Sequence, residues 1–181
     1  NRLRIPYRIV GSLRFYEREE VKDAIALLSL FANPRDEIAF RRIVNKPSRG
    51  IGKVTVGRIV EHAASTHGDL LAAATAYETR ASGKTKRGLS EFNATIGRAE
   101  ERLDEVTLPA FVQLLLEESG ILGYHREQDE ASGTARTRNL EEVVNGASVF
   151  GVGREGLSEF LELIELDRSR FEEEESATER V

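Results

Sequence analysis

The stretch whose residue types and spacing best suit chemistry is Arg41-Arg42-Ile43-Val44-Asn45-Lys46-Pro47-Ser48-Arg49-Gly50-Ile51-Gly52-Lys53-Val54-Thr55. A basic, helix-forming segment stops at Pro47, turns through Gly-Ile-Gly and enters a new amphipathic run from Val54 to Ala64. Glycines let a backbone approach a phosphate closely, and the following helix offers free amides and the positive end of its dipole. On this reading Gly50, Ile51 and Gly52 form a phosphate-facing turn, with Ile51 tucked inward as its anchor. Arg49 and Lys53 supply charge on either side, and Thr55 adds a hydroxyl contact or caps the helix. The plainer reading is a tight interhelical turn that needs glycine only for its dihedrals. The cations Arg41, Arg42, Lys46 and Arg49 favour the phosphate.

Other chemistry is sparse. No Gly-x-x-x-x-Gly-Lys loop, HExxH pair or GxSxG elbow occurs. His62 and His67 lie five apart, a poor spacing for two ligands on one helix face, and read as surface or capping residues. Phe15-Tyr16-Glu17-Arg18 mixes aromatic and basic groups as a single-strand stacking site does. Its plainer reading packs Phe15 in a core and pairs Arg18 with Glu19 or Glu20.

The elements that must position these residues are read from hydrophobic spacing. Ile5 to Val10 has the content of a short edge strand, which Gly11-Ser12 turns towards Leu13-Arg14-Phe15-Tyr16. Val21, Ala24, Ile25, Leu28 and Phe31 mark a helix over Glu19 to Phe31. A second helix runs from about Asp36 to Asn45, capped by Asn33 or Asp36, and a third follows the Gly-Ile-Gly turn as far as His67-Gly68. Asp69 caps an alanine-rich helix to about Tyr77. Further helices cover Lys84 to Leu103 and, behind Thr107, Ala110 to Glu118. Ile121 to Tyr124 reads as a short helical turn, and Asp129 to Thr134 as a polar loop. Arg138 to Phe150 is amphipathic again. After Gly151, Gly153 and Gly156, Leu157 to Ile164 forms the last packed helix. From Asp167 the chain turns acidic and is expected to fray. The predicted fold class is therefore mainly α: a multi-helix domain with helix-hairpin-helix-like units, plus a short N-terminal β-strand or hairpin.

At 181 residues the chain can form one domain with a real core or a small domain plus part of another. It has no cysteine, so disulfides and thiolate metal sites are excluded. No apolar run nears the roughly 18 residues of a membrane span and no signal peptide is visible, so a cytoplasmic, membrane-free protein is expected. Lacking methionine and beginning at Asn1, it is expected to be a piece of a longer protein. Net charge is −5, but residues 1–60 carry 13 Lys or Arg against 6 Asp or Glu. Any polyanion should meet that first third.

Several stretches then combine into a family pattern. Ile5-Pro6-Tyr7-Arg8-Ile9-Val10-Gly11, Phe15-Tyr16-Glu17-Arg18-Glu19-Glu20-Val21-Lys22-Asp23, Ala32-Asn33-Pro34, Arg41-Arg42-Ile43 and Gly50-Ile51-Gly52 resemble consecutive stretches of the UvrD/PcrA/Rep helicases. Asn139-Leu140-Glu141-Glu142 is similar to a later signature of the same region. These are superfamily-one, ATP-dependent DNA helicases that move 3′ to 5′ on single-stranded DNA. The match is densest over residues 5–65 and continues in order to about 165. It implies that residues 1–34 are a strip of the second RecA-like domain, 2A, and residues 35–166 the helical 2B insertion, with 167–181 as the acidic tail. The family's ATP-binding loop and acidic motif lie upstream of such a segment, so ATP and Mg2+ belong to the parent helicase. The fragment itself is expected to be non-catalytic and to need no cofactor.

By the same resemblance Gly50, Ile51 and Gly52 contact duplex phosphates non-specifically, with Lys53 and Thr55 as neighbours. Arg18 faces the single-strand track, and Ser12 replaces the second glycine of the family's usual pair. The implied partners are DNA, the rest of the motor, and repair or transcription proteins. The alternative is a protein-interaction or autoinhibitory module with little DNA affinity of its own.

Overall fold

The computed structural model describes residues 13–180, and every regular element among them is helical. The chain runs α1 (Leu13–Glu17), α2 (Glu19–Ala32), α3 (Glu37–Ile43), α4 (Lys53–His62), α5 (Leu70–Glu78), α6 (Gly83–Arg102), α7 (Leu108–Glu118), α8 (Ile121–Ser132), α9 (Arg136–Gly146) and α10 (Gly153–Thr178). Short 3₁₀ turns continue α4 through Ala63–Thr66 and α9 through Ala147–Val149. The multi-helix class expected from periodicity is the observed one.

Helix starts follow their caps. Asp36 accepts from the Ala39 amide at 3.0 Å, Asp69 from Ala72 at 2.8 Å and Thr107 from Ala110 at 3.4 Å. Each side chain satisfies one amide that the helix itself leaves unpaired. His67, in the left-handed conformation, closes the turn after α4, as its reading as a capping residue anticipated.

α2 is the hub, packed against α1, α3, α8, α9 and α10. α4, α5 and α6 form a second group, and α7 joins the two by packing on α6, α8, α9 and α10. Phe31 of α2 meets Phe111 of α7 with ring centroids 5.1 Å apart. Phe40 of α3 meets Phe92 of α6 edge-on at 6.4 Å. All four rings are buried, so the aromatic contacts that carry much of the core also fix where α3 and α6 stand beside the connection 44–52.

Three expectations are corrected. Leu13 to Tyr16 is not the second arm of a hairpin but part of α1. Phe15 and Tyr16 are adjacent and both buried, whereas neighbours on a strand face opposite sides. The strand at Ile5 to Val10 and Ser12 lie outside the described residues. Asp129 to Thr134 is not a loop throughout, because α8 continues to Ser132 and Gly133 caps it in the left-handed conformation. The chain also does not fray at Asp167: α10 runs 26 residues to Thr178, with Asp167 and Phe171 buried. The Tyr16 hydroxyl donates to Asp167 at 3.0 Å, which ties the middle of α10 to α1.

Candidate nucleic-acid interface

The connection between α3 and α4 is shaped by two side chains. The Asn45 Oδ1 accepts from the amides of Arg49 at 2.7 Å and Ile51 at 3.0 Å, curling the loop back on itself. Arg49 lies inside that curl. Its Nη1 donates to the carbonyls of Ile43, Val44, Lys46 and Pro47 at 2.9–3.3 Å, and its Nη2 donates to the Ser119 carbonyl. The guanidinium also sits 5.6 Å from the centre of the Phe92 ring. A helix leaves its last carbonyls unpaired and carries partial negative charge there, so a cation at the end of α3 answers both. Burial pushes the Arg49 pKa down. The sequence reading placed Arg49 as surface charge beside the turn; its charged group instead faces inward and holds the turn together.

Gly50 and Ile51 follow from this frame. Gly50 has φ +74°, a left-handed conformation that L side chains rarely adopt. Its carbonyl accepts from the Thr85 hydroxyl at 2.9 Å, and the Lys84 stem lies where a Cβ on Gly50 would stand. Ile51 is 1% exposed, the inward anchor that the sequence suggested, and its amide is already taken by the Asn45 Oδ1, so it offers a phosphate no donor. Gly52 is different. It is the N-cap of α4 with φ −70°, no side chain caps the helix, and a Cβ there would meet nothing within 4 Å. Beyond it Lys53 is exposed, Val54 is 70% exposed and Thr55 is half-buried. The first-turn amides of α4 therefore open outward beside a free ammonium group.

The remaining cations divide into engaged and free. Arg42 donates to the Asp23 Oδ1 at 2.8 Å and to the Glu19 carbonyl. Lys46 reaches the Glu19 Oε1 at 2.6 Å and the Asp23 Oδ2 at 2.7 Å. Buried His125 also holds that Asp23 oxygen at 2.7 Å, and Arg136 completes the group on Glu19. Burial pushes Asp23 up, but hydrogen bonds from His125 and Lys46 and the nearby positive charges outweigh it and hold the carboxyl low. The hydrogen bond from Lys46, reinforced by Arg136, brings Glu19 down to about 2. Burial acts to lower Lys46, and its two carboxylate partners outweigh that and raise it. Arg41 forms an exposed pair with Glu37.

Arg41, Arg42, Lys46, Lys53, Ile51 and Tyr124 line a groove of about 640 Å³ beside the turn. Lys53 alone among its cations has no ion pair with a described residue. Arg18, at the junction of α1 and α2, is exposed and stands apart from this groove. It pairs with neither Glu19 nor Glu20, since Glu19 serves Lys46 and Arg136 while Glu20 accepts from Asn139. Phe15 is in the core, as the plainer reading had it.

The structure adds Lys84, which the sequence reading named only as the start of a helix. α6 docks against the turn so closely that a Cβ on Gly88 would stand 2.0 Å from the Arg49 carbonyl oxygen. That contact brings exposed Lys84, distant in sequence, beside Gly50. Lys84-Thr85-Lys86-Arg87 was the available signal, a basic run opening a helix.

Comparison with known proteins decides the family. The model of the UvrD-like helicase C-terminal domain matches residues 1–181. The chain belongs to the UvrD-like helicase C-terminal domain family. It is 34% identical over 154 residues to DNA helicase II of Haemophilus influenzae, covering 82% of this chain and 21% of that protein. It is 35% identical over 158 residues to the ATP-dependent DNA helicase UvrD1 of Mycobacterium bovis, covering 83% and 20%. To the ATP-dependent DNA helicase PcrA of Leuconostoc citreum it is 30% identical over 148 residues, 81% and 20%. This UvrD-like chain thus spans about a fifth of the length of these relatives. Among its described residues no helix is long and apolar enough to cross a membrane, and no three His, Asp or Glu side chains gather as a metal site requires.

Proposed function

We propose that this chain is the 2B region, with an adjoining strip of 2A, of an ATP-dependent 3′-to-5′ DNA helicase, and that it grips duplex DNA by its phosphates at the α3–α4 turn. The observation that carries this reading is the uncapped N-terminus of α4, with open space at Gly52. Backbone amides there can meet a phosphate oxygen with no side chain between. Lys53 and Lys84 flank those amides with uncompensated charge, and Thr55 lies in the same first turn. Arg42, Lys46 and Arg49 hold the turn in shape for this contact. Such contacts position a duplex and carry no sequence code. ATP and Mg2+ act in the rest of the parent protein, whose place of work is the cytoplasm.

The test is fluorescence anisotropy of a labelled 20-base-pair duplex titrated with the 181-residue chain at several salt concentrations. Binding is expected to be weak at about 20 mM salt and to fall steeply as salt rises, since each phosphate contact releases counterions. Lys53→Ala with Lys84→Ala should lower the slope of log affinity against log salt by about 1.8, at roughly 0.9 per contact. A wild-type chain that does not bind at about 20 mM salt would remove the reading. It would leave the interaction-module alternative, in which this region contacts a partner protein or restrains its own motor.

A further inference from the structure

α4 does more than present its first turn. Its outward stripe runs Lys53, Val54, Gly57, Arg58 and Glu61, the spacing of one helix face, and no neighbour lies within 4 Å of where a Cβ on Gly57 would be. The stripe ends in an open cleft of about 540 Å³ lined by Arg58, Glu61, His62, Ser65, Tyr77 and Arg80. Arg58 comes from α4 and Arg80 from the segment after α5, so the fold, not local sequence, brings two guanidinium groups to one cavity. Neither makes an ion pair or side-chain hydrogen bond with a described residue. Glu61 offsets one of the two charges and is itself unpaired. The Ser65 hydroxyl donates to the His62 carbonyl at 2.7 Å and lies 3.4 Å from the His62 Nδ1, which sets the imidazole against the cleft wall.

We propose that the Arg58–Arg80 cleft is a second phosphate-binding site, engaged by the same duplex that meets the α3–α4 turn. Two forked cations gathered without full counter-charge suit a phosphodiester. The spacing suits it as well. From Lys53 to Arg58 the helix rises about 7.5 Å, and one DNA strand places a phosphate roughly every 3.4 Å of its axis. The cleft therefore lies within reach of a duplex that meets the turn, and side-chain-free Gly57 leaves the path between them low. This site rests on the proposed duplex grip and extends it.

The experiment compares four forms of the full 181-residue chain on one labelled 20-base-pair duplex across a salt series. These are wild type, Arg58→Ala with Arg80→Ala, Lys53→Ala with Lys84→Ala, and a charge control, Arg138→Ala with Arg170→Ala, on α9 and α10. Both cleft arginines are exposed, so an unchanged thermal midpoint is expected. The cleft variant should lose about 1.8 from the salt slope, as two lost contacts require, while the control keeps the wild-type slope. Wild-type binding by the cleft variant, alongside a weakened Lys53/Lys84 variant, would overturn the cleft and leave the turn standing. An equal loss in the control would also overturn it, as an effect of net charge. Absence of binding by the wild type would remove the turn and the cleft together.

Discussion

Arg49 shows how one side chain can look like a ligand contact and be a structural brace. It stands next to Gly-Ile-Gly in a basic stretch, yet its guanidinium answers five carbonyls, one of them on Ser119, seventy residues away in sequence. No local pattern reveals such a partner. Arg49→Ala would strand those carbonyls, and we expect a loss of about 2–4 kcal/mol in denaturant unfolding, given about 1.5–3 kcal/mol for a hydrogen bond to a charged group. Arg49→Lys should recover little of it, because an ammonium cannot fork between the two sides.

The acidic cluster on α2 gives a pH dependence whose sign is fixed by the shifts. Glu19 is held at about 2 in the fold against 4.5 for an ordinary glutamate. A carboxyl depressed in the fold stabilises it above the unfolded value, and that stabilisation is lost as pH falls through the folded one. Stability should therefore be full above about pH 4.5 and decline between there and about 2. Lys46 is raised, so its share is present below its ordinary range and is lost only in strong alkali. Thermal midpoints of wild type and Glu19→Gln, followed from pH 7 to 2.5, should converge as the acid limb is reached.

Among the elements, those with regular apolar spacing and a capping side chain were legible. α2, α5 and α7 lie where periodicity and Asp69 or Thr107 put them, and the turn before α4 was recognisable from its glycines. What escaped was structure held by distant polar partners. α8 continues past His125 on residues that are mostly exposed, where no apolar period remains to follow. Asp129 there gathers the Thr134 hydroxyl and the amides of Arg136 and Thr137, a knot that local reading took for loop. α10 continues because Asp167 is buried against Tyr16, and a polar residue at a core position broke the pattern. Likewise His125, which ties α8 to Asp23 of α2, is polar and wholly buried.

The docking of α6 on the turn yields an element-scale prediction. Gly88→Ala would place a methyl 2.0 Å from a backbone oxygen, so helix and turn must separate. Overpacking of this kind costs about 1–3 kcal/mol. The duplex affinity of Gly88→Ala should fall with it even where the chain stays folded at 10 °C, because Lys84 leaves its place beside Gly50.

For the whole molecule, the charge asymmetry of the sequence needed the fold to interpret it. The first 60 residues are strongly basic, but Arg42, Lys46 and Arg49 are engaged internally. The free cations that remain near the turn are Lys53 and Lys84, one of them from the part of the chain that composition made acidic. The proposed polyanion contact therefore rests on a smaller and differently composed patch than the sequence suggested. The family match places the chain in the UvrD-like helicase C-terminal domain family, and the duplex grip is the proposal that joins that family to function.

That claim is tested most directly by Gly52→Asp. The backbone at Gly52 suits an N-cap residue and there is room for the side chain, so an aspartate would bond the amides of the first turn of α4. It should leave stability unchanged or raise it by a few tenths of a kcal/mol, read as an unchanged or slightly higher thermal midpoint. If those amides are the phosphate contact, the carboxylate occupies and repels at once, and duplex affinity at about 20 mM salt should fall at least about tenfold. A folded Gly52→Asp chain that binds duplex as the wild type does would contradict the account.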